Sequence, residues 1–191
     1  INVCRLLLVF AIGLLSGCAS VVVGGGAAVG TAIIEERGVQ AAARDMATAT
    51  RMRTNLLSAG EDFAIGVGVE VYEGRLLLTG TLPNEDMQAE TVSMAWKTEG
   101  VKDVINEIQT GTSSLRDLAK DAWITTLLHT KITLDKKILA INYSIETVNR
   151  VIYMIGIAQN QTELDRVVAH AKNISYVKRI INHVRVKKGR T

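Results

Sequence analysis

With 191 residues, 48% of them hydrophobic and 21% charged, the chain has room for one ordinary domain or two small ones and is too apolar to be disordered. Aromatics make up only 4% and there is a single proline, so branched aliphatics must fill any core and a Pro-rich linker is excluded. The two cysteines, Cys4 and Cys18, both lie in the apolar N-terminus, which excludes a disulfide framework or a thiolate metal cluster in the folded part.

Residues 6–34 carry no charge. The run is long enough for a transmembrane helix of about 20 residues, but Gly24–Gly26 and Gly30 loosen it where it should be firmest. The first part reads better alone, as a signal peptide over residues 1–17. Arg5 supplies a positive n-region, Leu6–Leu15 the apolar h-region, and Ser16-Gly17 the small residues before a cleavage point. Leu15-Ser16-Gly17-Cys18 resembles the lipobox of bacterial lipoproteins. That resemblance implies acylation of Cys18 and cleavage just before it. Two or three acyl chains hold firmly to a membrane, whereas one binds only marginally. Residue 19 is Ala rather than the Asp that often marks inner-membrane retention; by resemblance this favours the outer membrane, facing the periplasm. Residues 18–43 then form a Gly/Ala-rich tether. The rival reading of Gly24–Gly30, a dinucleotide-binding loop, fails on spacing, because Val29 stands where a glycine is required.

Sliding the chain against itself by 76 residues aligns Ala49–Thr110 with the second half without a gap. Thr54 falls on Thr130, Ala64-Ile65 on Ala140-Ile141, Glu70 on Glu146, Gly80 on Gly156 and Asn84 on Asn160. The segment "VKDVINEI" (101–108) falls on "VKRIINHV" (177–184). Two copies of one module, 44–112 and 117–187, therefore fill nearly all of the chain beyond the tether, leaving 188–191 as a basic tail.

Each copy opens with a helix, about Arg44–Leu57 and Asp117–Leu134, where Trp123, Leu127, Leu128 and Lys131 recur at helical spacing. A strand follows, with Ile65, Val67, Val69 and Val71 alternating in copy one. Glu73-Gly74 makes a tight turn into a second strand, Arg75–Leu82; copy two turns at Val148-Asn149-Arg150, with Asn149 best suited to positive φ. Gly80 and Gly156 sit late in that strand, where a bulge or a close backbone approach wants no side chain. Asn84 and Asn160 read as N-caps of a second helix, with Glu163 placed for a capping box. In copy two, Leu164, Val167, Val168, Ala171 and Ile174 form its apolar stripe. A last strand, Val101–Gln109 or Val177–Val186, ends the unit. The expected fold class is α+β: two tandem α/β-sandwich modules, each helix-strand-strand-helix-strand, with a three-stranded mixed sheet and two helices on one face.

That order, doubled, resembles the BON domain. The likeness rests on the hairpin endings "LTG" (78–80) and "MIG" (154–156) and on the closing "GVKDVINEI" (100–108) with its partner at 176–184. A lipobox followed by two such units, the second opening with "DAWITT" (121–126), resembles the dual-BON outer-membrane lipoproteins of Gram-negative bacteria. Copy two departs from the pattern at Tyr176, where copy one has Gly100, and has no glycine in its hairpin turn.

Catalytic chemistry is hard to find. His129, His170 and His183 lack the close spacing of a metal pair. No Ser or Cys lies in a nucleophile elbow, and no carboxylate pair stands apart from ordinary surface charge. Two N-glycosylation sequons, Asn142-Tyr143-Ser144 and Asn173-Ile174-Ser175, carry no meaning in a bacterial lipoprotein. No cofactor or metal is expected, and an enzyme is the least favoured class.

Charge is more informative. Residues 19–118 hold 8 Lys and Arg against 14 Asp and Glu, and residues 119–191 hold 13 against 5. An acidic and a basic module could simply attract one another, or the basic one could meet an anionic surface. Nucleic acid is not offered to an exported, lipid-anchored protein, whereas anionic phospholipid is. Trp123 suits a bilayer interface and falls where copy one has Ala47; packing in a core or between modules would explain it equally well. In the resembled lipoproteins the first helix of the second domain binds phospholipid. This implies a lipid site of Trp123, Ile124, Leu127 and Leu128 flanked by Lys120 and Lys131. Trp96 lacks that basic setting and reads as structural. The runner-up function is an adaptor that binds outer-membrane or envelope proteins, lipid contact being incidental.

Overall fold

The structure is a computed structural model and describes residues 37–187. Cys18, the tether up to residue 36 and the basic tail lie outside the described residues. The described residues belong to one compact unit.

Module one runs α1 (Gly38–Ala59), α2 (Glu61–Gly66), β1 (Val67–Tyr72), β2 (Arg75–Leu82), α3 (Glu85–Lys97), β3 (Asp103–Asn106) and β4 (Gln109–Thr110). Module two runs α4 (Leu115–Leu134), a 3₁₀ turn (Ala140–Asn142), β5 (Tyr143–Val148), β6 (Val151–Ala158), α5 (Gln161–Lys172) and β7 (Arg179–Val186). The central strand of each sheet pairs antiparallel with its hairpin partner and parallel with the last strand. Register repeats with the sequence: Val67 faces Gly80 as Tyr143 faces Gly156, and Arg75 faces Asp103 as Val151 faces Arg179. In module one the third position is shared by β3 and β4, so that sheet counts four strands. The break falls where Asn106 Oδ1 accepts from the Ile108 amide at 3.2 Å.

Local chemistry explains the boundaries. Asn84 Oδ1 accepts from the Met87 amide and Asn160 Oδ1 from the Glu163 amide, both at 2.9 Å, satisfying donors a helix start leaves bare. The Glu163 carboxylate accepts from the Tyr143 hydroxyl at 2.8 Å. At Gly80 and Gly156 an added Cβ would lie 2.0 Å from the Gly66 carbonyl oxygen and 1.9 Å from that of Asn142. The close approach expected at these glycines is thus real. It also corrects the strand start: the chain enters the sheet only at Val67, and Ile65 lies in α2, 76% exposed.

Both hairpin turns place two successive residues at positive φ, Glu73-Gly74 and Asn149-Arg150, the mirror-image turn that matches strand twist. Each is held by a buried aspartate from the preceding long helix. Asp45 accepts from the amides of Glu73 and Gly74 at 2.7 and 2.8 Å, and Asp121 from those of Asn149 and Arg150 at 2.6 and 2.8 Å. Two carboxylate bonds let Arg150, a residue with a Cβ, occupy a conformation that glycine adopts more readily.

The helices of each module cover one sheet face. Met52, Leu56, Leu76 and Leu78 centre one core; Ile124, Leu128, Ile152 and Met154 centre the other. In β2 and β6 the alternate residues are buried as well, because the remaining faces pack on each other through Tyr72, Leu77, Val148, Val151, Tyr153 and Ile155. Full burial of such side chains stabilises by about 1.5–3 kcal/mol each, so this third core binds the modules into a helix–sheet–sheet–helix stack. In it β1 meets β6 and β2 meets β5, an exchange of equivalent strands that a two-fold axis requires.

Candidate functional site

Helix α4 places the expected lipid-site residues on two different faces. At 100° per residue, Asp121, Ile124, Leu128 and Ile132 point inward, and all four are buried. Ile124 and Leu128 are fully buried core residues. They could enter a bilayer only by leaving the core, so assigning them to the lipid site is corrected here. A neighbouring stripe, about 100° around the helix, carries Lys120, Trp123, Leu127 and Lys131. Trp123 is 47% exposed, Lys120, Leu127 and Lys131 are half-buried, and Leu134 continues the stripe into solvent.

A residue from outside the helix completes this surface. Tyr176, 64% exposed, stands at φ 72°, a conformation rare for an aromatic. Its ring meets Trp123 edge to face, with centroids 6.3 Å apart and planes at 66°. The Lys120 ammonium lies 5.7 Å above the Tyr176 ring, within cation–π range. The repeat shows how the patch arises: module one has Arg44, Ala47 and Gly100 where module two has Lys120, Trp123 and Tyr176. Tyr176 had a visible signal, an aromatic in place of a glycine at a turn, but the substitution reads first as a turn irregularity. Leu134 gave only its helical spacing.

Trp96, read from the sequence as structural, also lies at the surface. It is 56% exposed on α3, with Thr91 and Ala95 turned inward instead, so it is no core residue. The histidines sit apart. His170 contacts Asp135 at 2.9 Å, the Lys137 amide donates to it at 3.0 Å, and Arg166 lies 2.7 Å from the oxygen that His170 meets; in that order they hold the Asp135 carboxyl well below its usual range. His129 is pushed down by burial. Among the described residues no group of three or more His, Cys, Asp or Glu could hold a metal. No described helix is long and apolar enough to cross a membrane.

At the junction, Glu70 and Glu146 interact as like charges. Burial first, then Glu70 and Asp121, push the Glu146 carboxyl up to about 7.

Comparison with known proteins agrees with this architecture. The chain is 38% identical over 123 residues to an Anaplasma centrale protein described as an uncharacterized protein in the gshII 5′ region, covering 63% of this chain and 82% of that one. It is 28% identical over 169 residues, 87% of each chain, to the outer membrane lipoprotein DolP of Haemophilus influenzae. A 21 kDa hemolysin of Actinobacillus pleuropneumoniae is 28% identical over 116 residues, 60% of this chain and 59% of the other. The BON domain family matches residues 44–112 and again 120–188, and this chain is a tandem member of that family.

Proposed function

We propose that this is a non-enzymatic, lipid-anchored protein of the outer membrane, which binds anionic phospholipid through its second BON module and helps maintain envelope integrity. The observation that carries the reading is the exposed Trp123–Tyr176 pair with Lys120 against it, built on the basic module and absent from its acidic counterpart. Aromatic rings with one polar edge favour the bilayer interface. Each Lys near an anionic surface contributes about 1 kcal/mol, so Lys120 and Lys131 beside two aromatics suffice for reversible docking. The lipobox at Cys18 and the likeness to a named outer membrane lipoprotein over most of both chains support the location.

Sedimentation of residues 35–191 with vesicles tests this. Binding to phosphatidylglycerol vesicles that weakens with salt, and little binding to phosphatidylcholine, is the expected result. Equal binding to both, or to neither, would favour the protein-adaptor function instead.

A further inference from the structure

Where module two carries its aromatic patch, module one has a cleft of about 870 Å³, within the size range of small-molecule sites. The cleft exists because Ala47 and Gly100 stand in for Trp123 and Tyr176. A Cβ on Gly100 would lie 2.1 Å from Thr48 Oγ1, so a side chain here would have to displace the hydroxyl that donates to the Glu99 carbonyl.

Cations from four elements converge on it: Arg44 and Arg51 of α1, Arg75 at the start of β2, Lys102 before β3, and Arg185 of β7 in the other module. Arg75 is the anchor. Its side chain is only 11% exposed, Nη1 donates to the His183 carbonyl at 2.9 Å, and the buried Nε makes no hydrogen bond. Asp103 Oδ2 lies 3.9 Å from that Nε, too far to accept from it. Burial, followed by the charge of Arg185, pushes the Arg75 guanidinium below its ordinary value.

Four carboxylates also line the cleft, and none hydrogen-bonds Arg75 or Arg185: Glu73 and Asp103 act on Arg75 only through their charge, Asp103 from 3.9 Å. Asp45 holds the hairpin turn and Arg37, and Glu99 pairs with Arg51 at 3.4 Å. The fold therefore presses two arginines of different modules together without a closely bonded anion between them. Like charges so arranged are destabilising alone and favourable around an anion.

We propose that this cleft binds a phosphate group, carried by a soluble phosphate or by a lipid headgroup, with Arg75 and Arg185 as its central pair. A phosphate offers three acceptor oxygens and up to two charges to the converging guanidinium forks, where one carboxylate offers two oxygens and one charge. The site lies on module one and is independent of the membrane patch of module two.

The test is calorimetric titration of the full chain in neutral detergent with inorganic pyrophosphate, against a chloride control of equal ionic strength. Saturable binding is expected, weakened at least about ten-fold by Arg185→Ala or Arg44→Ala and unchanged by Trp123→Ala. Both arginines are exposed, so neither replacement threatens the fold. Short-chain phosphatidylglycerol displacing pyrophosphate better than glycerol phosphate does would assign the lipid source; equal displacement would assign the soluble one. Binding no stronger than the chloride control, or unchanged in Arg185→Ala, overturns the proposal. So does a polyglutamate peptide that binds in an Arg185-dependent way which pyrophosphate cannot displace.

Discussion

Glu107 and His183 occupy the same position in the two repeats, 76 residues apart, and meet each other at 2.8 Å, Oε1 to Nε2. A residue that touches its own counterpart marks a two-fold axis, so the duplicated modules face one another as the halves of a symmetric dimer would. Glu70 and Glu146 repeat the relation as like charges. Both His183 and Glu107 are three-quarters buried, so their contact should be energetically visible. Glu107→Ala and His183→Ala are expected to be non-additive in thermal unfolding, with a coupling of about 1 kcal/mol. Strict additivity would show that the contact is incidental.

The Glu146 carboxyl makes stability depend on pH. A carboxyl whose pKa rises on folding stabilises the fold while protonated. Its contribution is complete below the ordinary carboxylate range and is lost as pH rises through about 7. Glu146→Gln should therefore melt higher than the parent at about pH 8 and level with it near pH 5. An equal difference at both pH values would contradict the burial of this charge at the junction.

Asp121 should matter more than any surface acid. Asp121→Ala leaves the amides of Asn149 and Arg150 without their acceptor and is expected to cost about 2–4 kcal/mol, read by denaturant unfolding. Asp121→Asn, which keeps one acceptor oxygen, should cost less. A cost below about 0.5 kcal/mol would mean that the turn stands without its clamp.

Gly156→Ala should destabilise module two by about 3 kcal/mol or more. The new Cβ would fall 1.9 Å from the Asn142 carbonyl oxygen at φ 148°, where the obstacle is backbone and cannot swing aside. Slow-exchanging amides around 143–158 should be lost first. Near-native protection there would show that the close approach is relieved cheaply.

The pattern of success and failure in the sequence has physical causes. The repeat, the caps at Asn84 and Asn160, the limits of Arg75–Leu82 and the glycines at 80 and 156 are local signals, and local signals survive in a single chain. Alternation carried the first strand back to Ile65, because period two cannot register that the backbone at Gly66 is pressed against Gly80. The runs "LLL" (76–78) and "IYMI" (152–155) break alternation because both faces of β2 and β6 are buried. What covers the second face is another module, which spacing alone does not reveal. Asp45 and Asp121 sit 28 residues from the turns they clamp, so their role needed coordinates. Trp123 and Ile124 are adjacent in sequence yet about 100° apart around α4, one exposed and one buried, and the resemblance that grouped them was blind to the helical period.

The central claim is that Trp123 anchors module two to anionic membrane. The most direct test is one mutant, Trp123→Ala, measured twice. Because the side chain is half exposed, truncation should leave the melting temperature nearly unchanged while affinity for phosphatidylglycerol vesicles falls several-fold. A packed tryptophan would instead cost about 3–5 kcal/mol on truncation. Lost stability with undiminished vesicle binding would contradict the account.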